Sequence, residues 1–237
     1  MTFTQNFNRI EKKYMVANDK YEQFLSELKR YLTEDQYGQT TICNIYFDTP
    51  NYEIINSSLS KPKYKEKLRL RSYGVPNIND TVFVEIKKKY NGVVYKRRVA
   101  MKLQQFYRYF YLNENPIIDN YIDRQILSEI DFFKKRYDLK NETFLSYDRF
   151  ALLDENNKDF RVTFDSNITM RQNDTNLEHG LGGLPIHIGN SKIMEVKTVG
   201  ALPLWFVSLL SKYQIKPCSF SKYGEAYKEY ICGGATT

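Results

Sequence analysis

The sequence contains few of the residues that build disulfide-bonded or zinc-binding proteins. Among 237 residues it has three cysteines, Cys43, Cys218 and Cys232, and two histidines, His179 and His187. An odd number of widely separated cysteines argues against a disulfide framework, and the absence of a CxxC pair argues against a zinc knuckle. Any metal in this protein would therefore be held by carboxylates, which favours Mn²⁺ or Mg²⁺.

Long apolar runs and linker-like segments are also missing. No stretch approaches the roughly 20 apolar residues that cross a bilayer, and the N-terminal sequence MTFTQNFNRIEKKY lacks the apolar core of a signal peptide. With 7 prolines and 11 glycines, the chain has no low-complexity segment that would divide it. We therefore expect a single cytoplasmic domain over residues 1–237, without a membrane span.

What the sequence does contain is positive charge. Lysine and arginine total 35 against 28 aspartate and glutamate residues, which gives a formal net charge of +7. This balance suits an anionic partner. Three classes remain open on composition alone: a nucleic acid, an anionic membrane surface, or a phosphate-rich small molecule.

Hydrophobic periodicity predicts a chain that mixes strands and helices. Alternation predicts eight strands, at about residues 8–16, 40–49, 65–73, 81–90, 93–100, 144–153, 160–168 and 192–199. Helical spacing predicts helices at about residues 18–32, 103–112, 118–137 and 203–213, and a short one near 223–231. The glycine-rich stretch 171–191 lacks the GK[ST] ending of a P-loop, so we interpret it as a surface connection.

The dipeptide Asn91-Gly92 lies between two strand-like runs and fixes their pairing. Such a pair favours a two-residue type I′ hairpin turn, because both central positions need positive φ. Counting back from the turn places Lys87 opposite Lys96. Like charges at such positions destabilise a sheet by roughly 0.2–1 kcal/mol, whereas an anion lying between them would make the same pair favourable.

The same alternation places charged residues on one face of six or more strands. That face carries twelve basic residues: Arg9, Lys13, Lys67, Arg69, Arg71, Lys87, Lys89, Lys96, Arg98, Arg149, Arg161 and Lys197. The acidic residues on it are Glu11, Glu85, Asp165 and Glu195. One interpretation is a two-layer sheet with this face in water. The density of cations on this face favours a second interpretation. It is an α+β fold with a closed eight-stranded antiparallel β-barrel, a basic lumen and helices outside.

Eight ordered motifs resemble a known family. They are RIEKKY, YFDTPNYE, KLRLRSYG, VEIKKK with GVVYKRR, YDRFAL, RVTFD, IMEVK and SKYGEAY. Together they resemble the catalytic domain of the VTC (vacuolar transporter chaperone) polyphosphate polymerases, over about residues 7–231. That domain belongs to the triphosphate tunnel metalloenzymes, which include the CYTH-type triphosphatases. Those relatives begin with ExExK, and here Arg9 replaces the first glutamate, which favours the VTC branch.

The resemblance implies roles for individual residues. The residues expected to bind the reacting phosphates are Arg69, Arg71, Lys87 and Arg149. Further substrate-binding residues are expected at Lys13, Lys67, Lys96, Arg98, Arg161, Lys197 and Lys222. Glu195 is the expected ligand of Mn²⁺ or Mg²⁺, with Asp165 and Glu11 as further candidates. Glu11, Asp165 and Glu85 have an alternative role, as counter-charges that keep neighbouring cations in place.

The expected activity is metal-dependent transfer of the γ-phosphate of ATP to a growing polyphosphate chain, with release of ADP. The alternatives are an inorganic or nucleoside triphosphatase of the same tunnel fold, and a polyphosphate-binding module without turnover. Nucleic acid fits less well, because aromatic residues do not alternate with the cations as single-strand binders require. The sequence leaves open a separate membrane protein as a partner.

Overall fold

The computed structural model describes residues 9–91 and 93–233, and within them ten strands and six α-helices. The strands are β1 (Arg9–Ala17), β2 (Thr33–Asp48), β3 (Tyr64–Tyr73), β4 (Thr81–Tyr90), β5 (Val93–Lys102), β6 (Lys140–Leu153), β7 (Arg161–Arg171), β8 (Leu184–Pro185), β9 (Ser191–Val199) and β10 (Pro217–Cys218). The helices are α1 (Asn18–Leu28), α2 (Glu53–Leu59), α3 (Leu103–Tyr111), α4 (Tyr121–Arg136), α5 (Leu204–Lys212) and α6 (Lys222–Ala226). A π-helical segment, Tyr227–Cys232, follows α6. None of the described helices is long and apolar enough to cross a membrane.

The strands form a mostly antiparallel sheet, which confirms the α+β class. Their hydrogen-bonded order is β10-β1-β9-β7-β6-β2-β3-β4-β5, with β8 beside β7. The eight predicted strands correspond to the eight long ones, and β8 and β10 add two short pairings. Within the described residues this order starts at β10 and ends at β5, so it does not close the sheet. Closure into a barrel stays a prediction.

The hairpin between β4 and β5 has the predicted register. Tyr90 pairs with Val93, and Lys87 pairs with Lys96. Asn91 has a φ of 46°, as the turn requires; Gly92 lies outside the described residues. The charged face continues into β3, where Lys67 pairs with Lys87.

The chain divides into two compact units. The first comprises the residues up to Thr40, Tyr147–Ile168 and His187–Ser221; the second comprises Thr41–Ser146, Thr169–Ile186 and the residues from Lys222 onward. The prediction of one domain is not tested by this division. Each unit has its own apolar core.

In the first unit, α1 and α5 pack on the apolar side of β1, β7 and β9. Phe24 and Leu28 of α1 are buried with Phe206 of α5 and with Val16 and Phe164 of the strands. In the second unit, α3 and α4 cover the apolar side of β2 to β5, and the buried core there includes Phe47, Leu70, Val84, Phe106, Ile130 and Phe133. Most of the predicted apolar faces are buried, as for Tyr14, Val16 and Val162, but Ile10 of β1 is 39% exposed.

Helix α2 was not predicted, because its N-terminus is capped from a distance. The residue before the helix, Tyr52, makes no side-chain cap and has a φ of 55°. Instead the buried carboxylate of Asp48 accepts hydrogen bonds from the backbone N–H groups of Ile54 and Ile55, both at 2.9 Å. Sequence rules look for a capping side chain directly before a helix, so this helix lacks the usual signal.

The glycine-rich stretch after β7 is organised by one arginine. The Arg171 guanidinium donates to the backbone carbonyls of Asp174, Asn176, Gly180 and Gly182 at 2.5–2.9 Å. The guanidinium carbon also lies 3.7 Å from the centre of a phenyl ring below it. The surface connection predicted here is thus a shaped loop, which includes a short 3₁₀ helix and β8.

Candidate active site

Three cations converge on one buried carboxylate in the second unit. Glu85 of β4 is 1% exposed. Arg69 of β3 donates to its Oε2 through Nε at 2.7 Å, and Arg69 Nη2 lies 2.6 Å from the same oxygen. Arg71 Nε lies 3.8 Å from Oε2, and Lys96 Nζ lies 2.8 Å from Oε1. We call these four residues the Glu85 cluster; the β3–β4 register, in which Arg69 faces Glu85, assembles it.

The Glu85 cluster carries more positive than negative charge. Burial alone would raise the pKa of Glu85, but the charges of Arg69, Arg71 and Lys96 outweigh burial and hold that pKa well below its usual range. Burial and the charge of Arg69 lower the pKa of Lys96 to about 8, despite the attraction of Glu85. Within these four residues three cations meet one carboxylate; Glu85 is buried, whereas Lys96 is exposed. Cations that outnumber carboxylates attract anions, so this cluster is a candidate binding place for phosphate.

Lysines extend this positive charge toward the hairpin turn. Lys67, Lys87 and Lys96 lie side by side on three paired strands, and Lys65 faces Lys89 one step further along. Burial and then the charges of Lys89 and Lys87 lower the pKa of Lys65. We call these five residues the lysine ladder. A stretch of adjacent like charges of this kind stabilises a sheet only when an anion lies along it.

Two residues that the sequence reasoning missed hold the arginines. Asn44 of β2 is fully buried, and its Oδ1 accepts from Arg71 Nε at 2.9 Å. Tyr46, two residues on, accepts from Arg69 Nη1 through its hydroxyl at 2.9 Å. Asn44 and Tyr46 lie on one face of β2, and the buried residues Cys43, Ile45 and Phe47 lie on the opposite face. The polar alternation in CNIYFD was the signal that could have identified them.

A second charged group lies in the first unit. Arg149 of β6 binds Asp165 of β7 through two parallel hydrogen bonds, Nε to Oδ1 at 2.6 Å and Nη2 to Oδ2 at 2.7 Å. Arg149 Nη2 also lies 3.3 Å from Glu195 Oε2. Lys13 of β1 lies 3.4 Å from Glu195 and 3.9 Å from Glu11. Lys13 and Glu195 meet because the register of β1 and β9 places them opposite each other.

This second group is electrically matched. Lys197 of β9 faces Glu11 across the β1–β9 pairing. Burial lowers the pKa of Lys197, while Glu195 and Glu11 act against that lowering. We call Lys13, Arg149, Lys197, Glu11, Asp165 and Glu195 the Arg149 cluster. Within the described side chains it pairs three cations with three carboxylates.

The Arg149 guanidinium is locked in its charged form. Burial disfavours that charge, but Tyr147, Asp165 and Glu195 outweigh burial and raise the pKa of Arg149 above its ordinary value. Asp165 is fully buried, and each of its oxygens accepts from Arg149. This geometry fits the counter-charge role of Asp165 more directly than a metal-binding role.

The remaining predicted residues have other surroundings. Arg161 of β7 pairs with Asp35 of β2 at 2.9 Å. Arg98 of β5 is exposed, and its guanidinium lies 4.7 Å from the centre of the Phe83 ring. Lys222 begins α6 and is 8% exposed. These residues keep their predicted roles only as proposals.

The comparison with protein families decides what kind of domain this is. The family model described as the VTC domain matches residues 8–231. The chain belongs to the VTC domain family. The resemblance seen in the eight motifs is confirmed at this level. No curated protein shows a significant sequence match to this VTC domain.

Solved structures share the fold of this VTC domain. A candidate adenylate cyclase from Bacillus halodurans has a TM-score of 0.56 and 13% sequence identity, with 94% of this chain and 99% of that chain covered. A candidate adenylate cyclase from Vibrio parahaemolyticus has a TM-score of 0.51 and 12% identity, with 93% and 98% covered. At such identities the likeness shows the fold alone.

The carboxylates of this VTC domain fit a metal that is mostly held by its substrate. Among the residues that the structure describes, no group of three or more His, Cys, Asp or Glu side chains is placed to hold an ion. Glu195 faces Thr163 across the β7–β9 pairing, and the buried Thr163 hydroxyl has no hydrogen-bond partner. Mg²⁺ sites commonly combine one or two carboxylates with phosphate oxygens and water. Glu195, with Glu11 as the second carboxylate, fits that pattern. The side chain of Arg9, the departure from ExExK, lies outside the described part of the chain.

Proposed function

We propose that this VTC domain is a polyphosphate polymerase that transfers the γ-phosphate of ATP to the end of a polyphosphate chain and releases ADP. The observation that carries the proposal is the Glu85 cluster, in which three cations surround one buried carboxylate. Family membership supports an enzyme acting on phosphates. A polyphosphate is an anion with enough charge to balance both this cluster and the lysine ladder.

The reaction needs charge neutralisation more than acid–base groups. An oxygen of the terminal phosphate of the chain bonds to the γ-phosphorus, and the bond from that phosphorus to the β–γ bridging oxygen breaks, so the electron pair leaves with ADP. The attacking oxygen is already ionised. No general base is therefore required. This agrees with the small number of histidines, two in the whole sequence, because histidine is the side chain that most often acts as a general base.

Arg69 and Arg71 are proposed to grip the reacting phosphates. The planar guanidinium binds two phosphate oxygens in one plane, and both arginines are already oriented by neighbours in β2 and β4. Fixed cations stabilise the charge of the transferring phosphoryl group without reorganising during the reaction. Lys87 and Lys96 act as point charges beside them, and the rest of the lysine ladder holds further phosphates of the chain.

The Arg149 cluster is proposed to supply the metal ligand. Bound Mn²⁺ or Mg²⁺ would neutralise phosphate charge. Glu195 would hold the ion, Lys13 and Arg149 would keep the Glu195 carboxylate ionised and oriented, and Asp165 would hold Arg149.

The direct test is incubation of the purified protein with ATP and Mn²⁺. We expect ADP and a long polyanion that a polyphosphatase degrades on a gel. Orthophosphate without polymer would show a triphosphatase instead. Tight binding of polyphosphate without turnover, and without dependence on metal, would show a binding module. An arginine-to-alanine pair at exposed Arg30 and Arg108 is a matched control for changes at Arg69 and Arg71.

A further inference from the structure

The Arg69 guanidinium is held from two sides. On one side Nε and Nη2 contact Glu85 Oε2 at 2.7 and 2.6 Å. On the other side Nη1 donates to the Tyr46 hydroxyl at 2.9 Å. Tyr46 faces Arg69 in the β2–β3 register, and the guanidinium carbon lies 5.8 Å from the centre of the Tyr46 ring. Two contacts on opposite edges of a planar group fix the plane of that group.

Tyr46 is itself held in place. Its ring stacks on Tyr223 of α6, with the ring centres 4.8 Å apart and the planes 17° from parallel. The Tyr223 hydroxyl donates to Asp48 Oδ2 at 2.9 Å. Asp48 also caps α2, so its carboxylate cannot turn away without releasing two backbone N–H groups. The position of the Tyr46 hydroxyl is thus set by a chain of contacts that ends in backbone.

We propose that Tyr46 is a positioning residue for Arg69, and that its hydroxyl fixes the plane in which the Arg69 guanidinium meets phosphate oxygens. The proposal rests on the proposed function, since it assigns Arg69 to phosphate. A guanidinium binds two oxygens well only in one plane, and an orientation fixed beforehand avoids the entropy lost on binding. Removing the hydroxyl should therefore weaken phosphate binding even though Tyr46 is not assigned to the substrate.

The ionisation of Tyr46 gives this contact a signature. Burial would raise the pKa of Tyr46, but the charges of Arg69, Arg71 and Lys67 outweigh burial and lower that pKa to about 8. Tyr223 of α6 stacks on the Tyr46 ring, and Glu85 of β4 binds the same Arg69 guanidinium. An anion bound to Arg69 reduces the positive charge felt by the phenol. Tripolyphosphate should therefore raise the pKa of Tyr46, so that binding takes up a proton.

A double-mutant cycle separates positioning from a general effect on the fold. The probe is inorganic tripolyphosphate, with binding measured by calorimetry at pH 7 on the whole chain without metal. Tyr46→Phe keeps the stacked ring and removes the hydroxyl, and should weaken binding roughly threefold to tenfold. In an Arg69→Ala background the same change should alter affinity by less than about twofold, because residues that act through one another are not additive. The control is Tyr37→Phe, the same change at an exposed position of β2, which should leave affinity unchanged.

Ultraviolet titration of the wild-type protein tests the contact without any variant. One tyrosine should ionise with a midpoint near pH 8, and saturating tripolyphosphate should move that midpoint upward; Tyr46→Phe should remove the step and Tyr37→Phe should keep it. An equal loss of affinity in both Arg69 backgrounds, no loss at all, or a midpoint that tripolyphosphate leaves in place would overturn the proposal. None of these readouts depends on turnover, so a protein that forms no polymer would refute the proposed function and leave this inference to be judged separately.

Discussion

The Glu85 cluster and the Arg149 cluster use the same residue types and differ in charge balance. In the Glu85 cluster three cations surround one carboxylate, whereas the Arg149 cluster pairs each described cation with a carboxylate. The carboxylates Glu85, Asp165 and Glu195 are buried, whereas Lys96 and Glu11 are exposed. We propose that charge balance, more than the number of basic residues, decides where phosphates bind, which favours the Glu85 cluster.

Removing the excess charge should have the largest effect. In the Arg69→Ala, Arg71→Ala double variant, Glu85 keeps only Lys96 of its three cations, so the cluster no longer attracts an anion. We expect ATP-dependent polymer formation to fall by at least about a hundredfold, since single charge-stabilising groups already contribute on this scale. The measurement is polymer yield with ATP and Mn²⁺. The control pair Arg30→Ala, Arg108→Ala should keep wild-type yield; an active double variant at Arg69 and Arg71 would show that the phosphates bind elsewhere.

Breaking the matched cluster should instead reduce stability. Asp165→Asn removes the negative charge and keeps one acceptor oxygen, so one of the two Arg149 hydrogen bonds is lost and an amide NH2 group faces the guanidinium in its place. We expect the free energy of unfolding to fall by about 3–5 kcal/mol, as for other broken buried pairs. Urea unfolding measures this, and tripolyphosphate should add no more stability to the variant than to the wild-type protein. A loss below about 1 kcal/mol would mean that Asp165 does not hold Arg149.

The same kind of change in the unmatched cluster should be repaired by a ligand. Glu85→Gln removes the negative charge that Arg69, Arg71 and Lys96 share, so we expect a loss of about 3 kcal/mol in the free energy of unfolding. Tripolyphosphate binds the folded state and supplies the missing charge, so it should restore more stability to this variant than it adds to the wild-type protein.

The control for this change is Glu129→Gln. Glu129 of α4 also contacts two cations, Lys88 and Arg97, but it is partly exposed. Glu129→Gln should lower the free energy of unfolding by less than about 1 kcal/mol. Tripolyphosphate should stabilise this variant no more than the wild-type protein. Equal responses of the Glu85 and Glu129 variants would show that the restored stability does not come from the Glu85 cluster.

Raising the pH should weaken the unmatched cluster by a smaller amount. The pKa of Lys96 is lowered to about 8 by burial and by Arg69, so Lys96 loses its positive charge as the pH rises through 8. Tripolyphosphate affinity should therefore fall severalfold between roughly pH 7 and 9. Lys96→Arg keeps its charge over this range and should reduce the fall. Ionisation of Tyr46 also lowers the affinity for tripolyphosphate as the pH rises, so Tyr46→Phe should reduce the fall further. An affinity that rises with pH would refute both assignments.

Much of this architecture could be predicted from local sequence signals. Asn91-Gly92 fixes a register, and the alternation in each long strand identifies the charged face, because both depend on neighbouring residues alone. The partners of Glu85 could not be predicted in this way. Register places it opposite Arg69 and Arg98, yet long side chains reach diagonally, so Lys96 and Arg71 contact it and Arg98 lies over Phe83.

Features that depend on distant parts of the chain were missed. Helix α2 is capped by Asp48. Its Oδ1 accepts a hydrogen bond from the backbone N–H of Ile54, six residues further along the chain. The stacking of Tyr46 on Tyr223 joins residues far apart in sequence. Such contacts become visible only when the chain is folded.

The lysine ladder has a consequence for how a polymer would move. A row of similar point charges would offer a repeating anion the same contacts after it advances by one phosphate, so translocation along Lys65, Lys67, Lys87, Lys89 and Lys96 would meet little barrier. The polymer would displace the small anions that neutralise these lysines, so its affinity would depend steeply on ionic strength. The salt concentration around the protein would then help to set how long a growing chain stays bound.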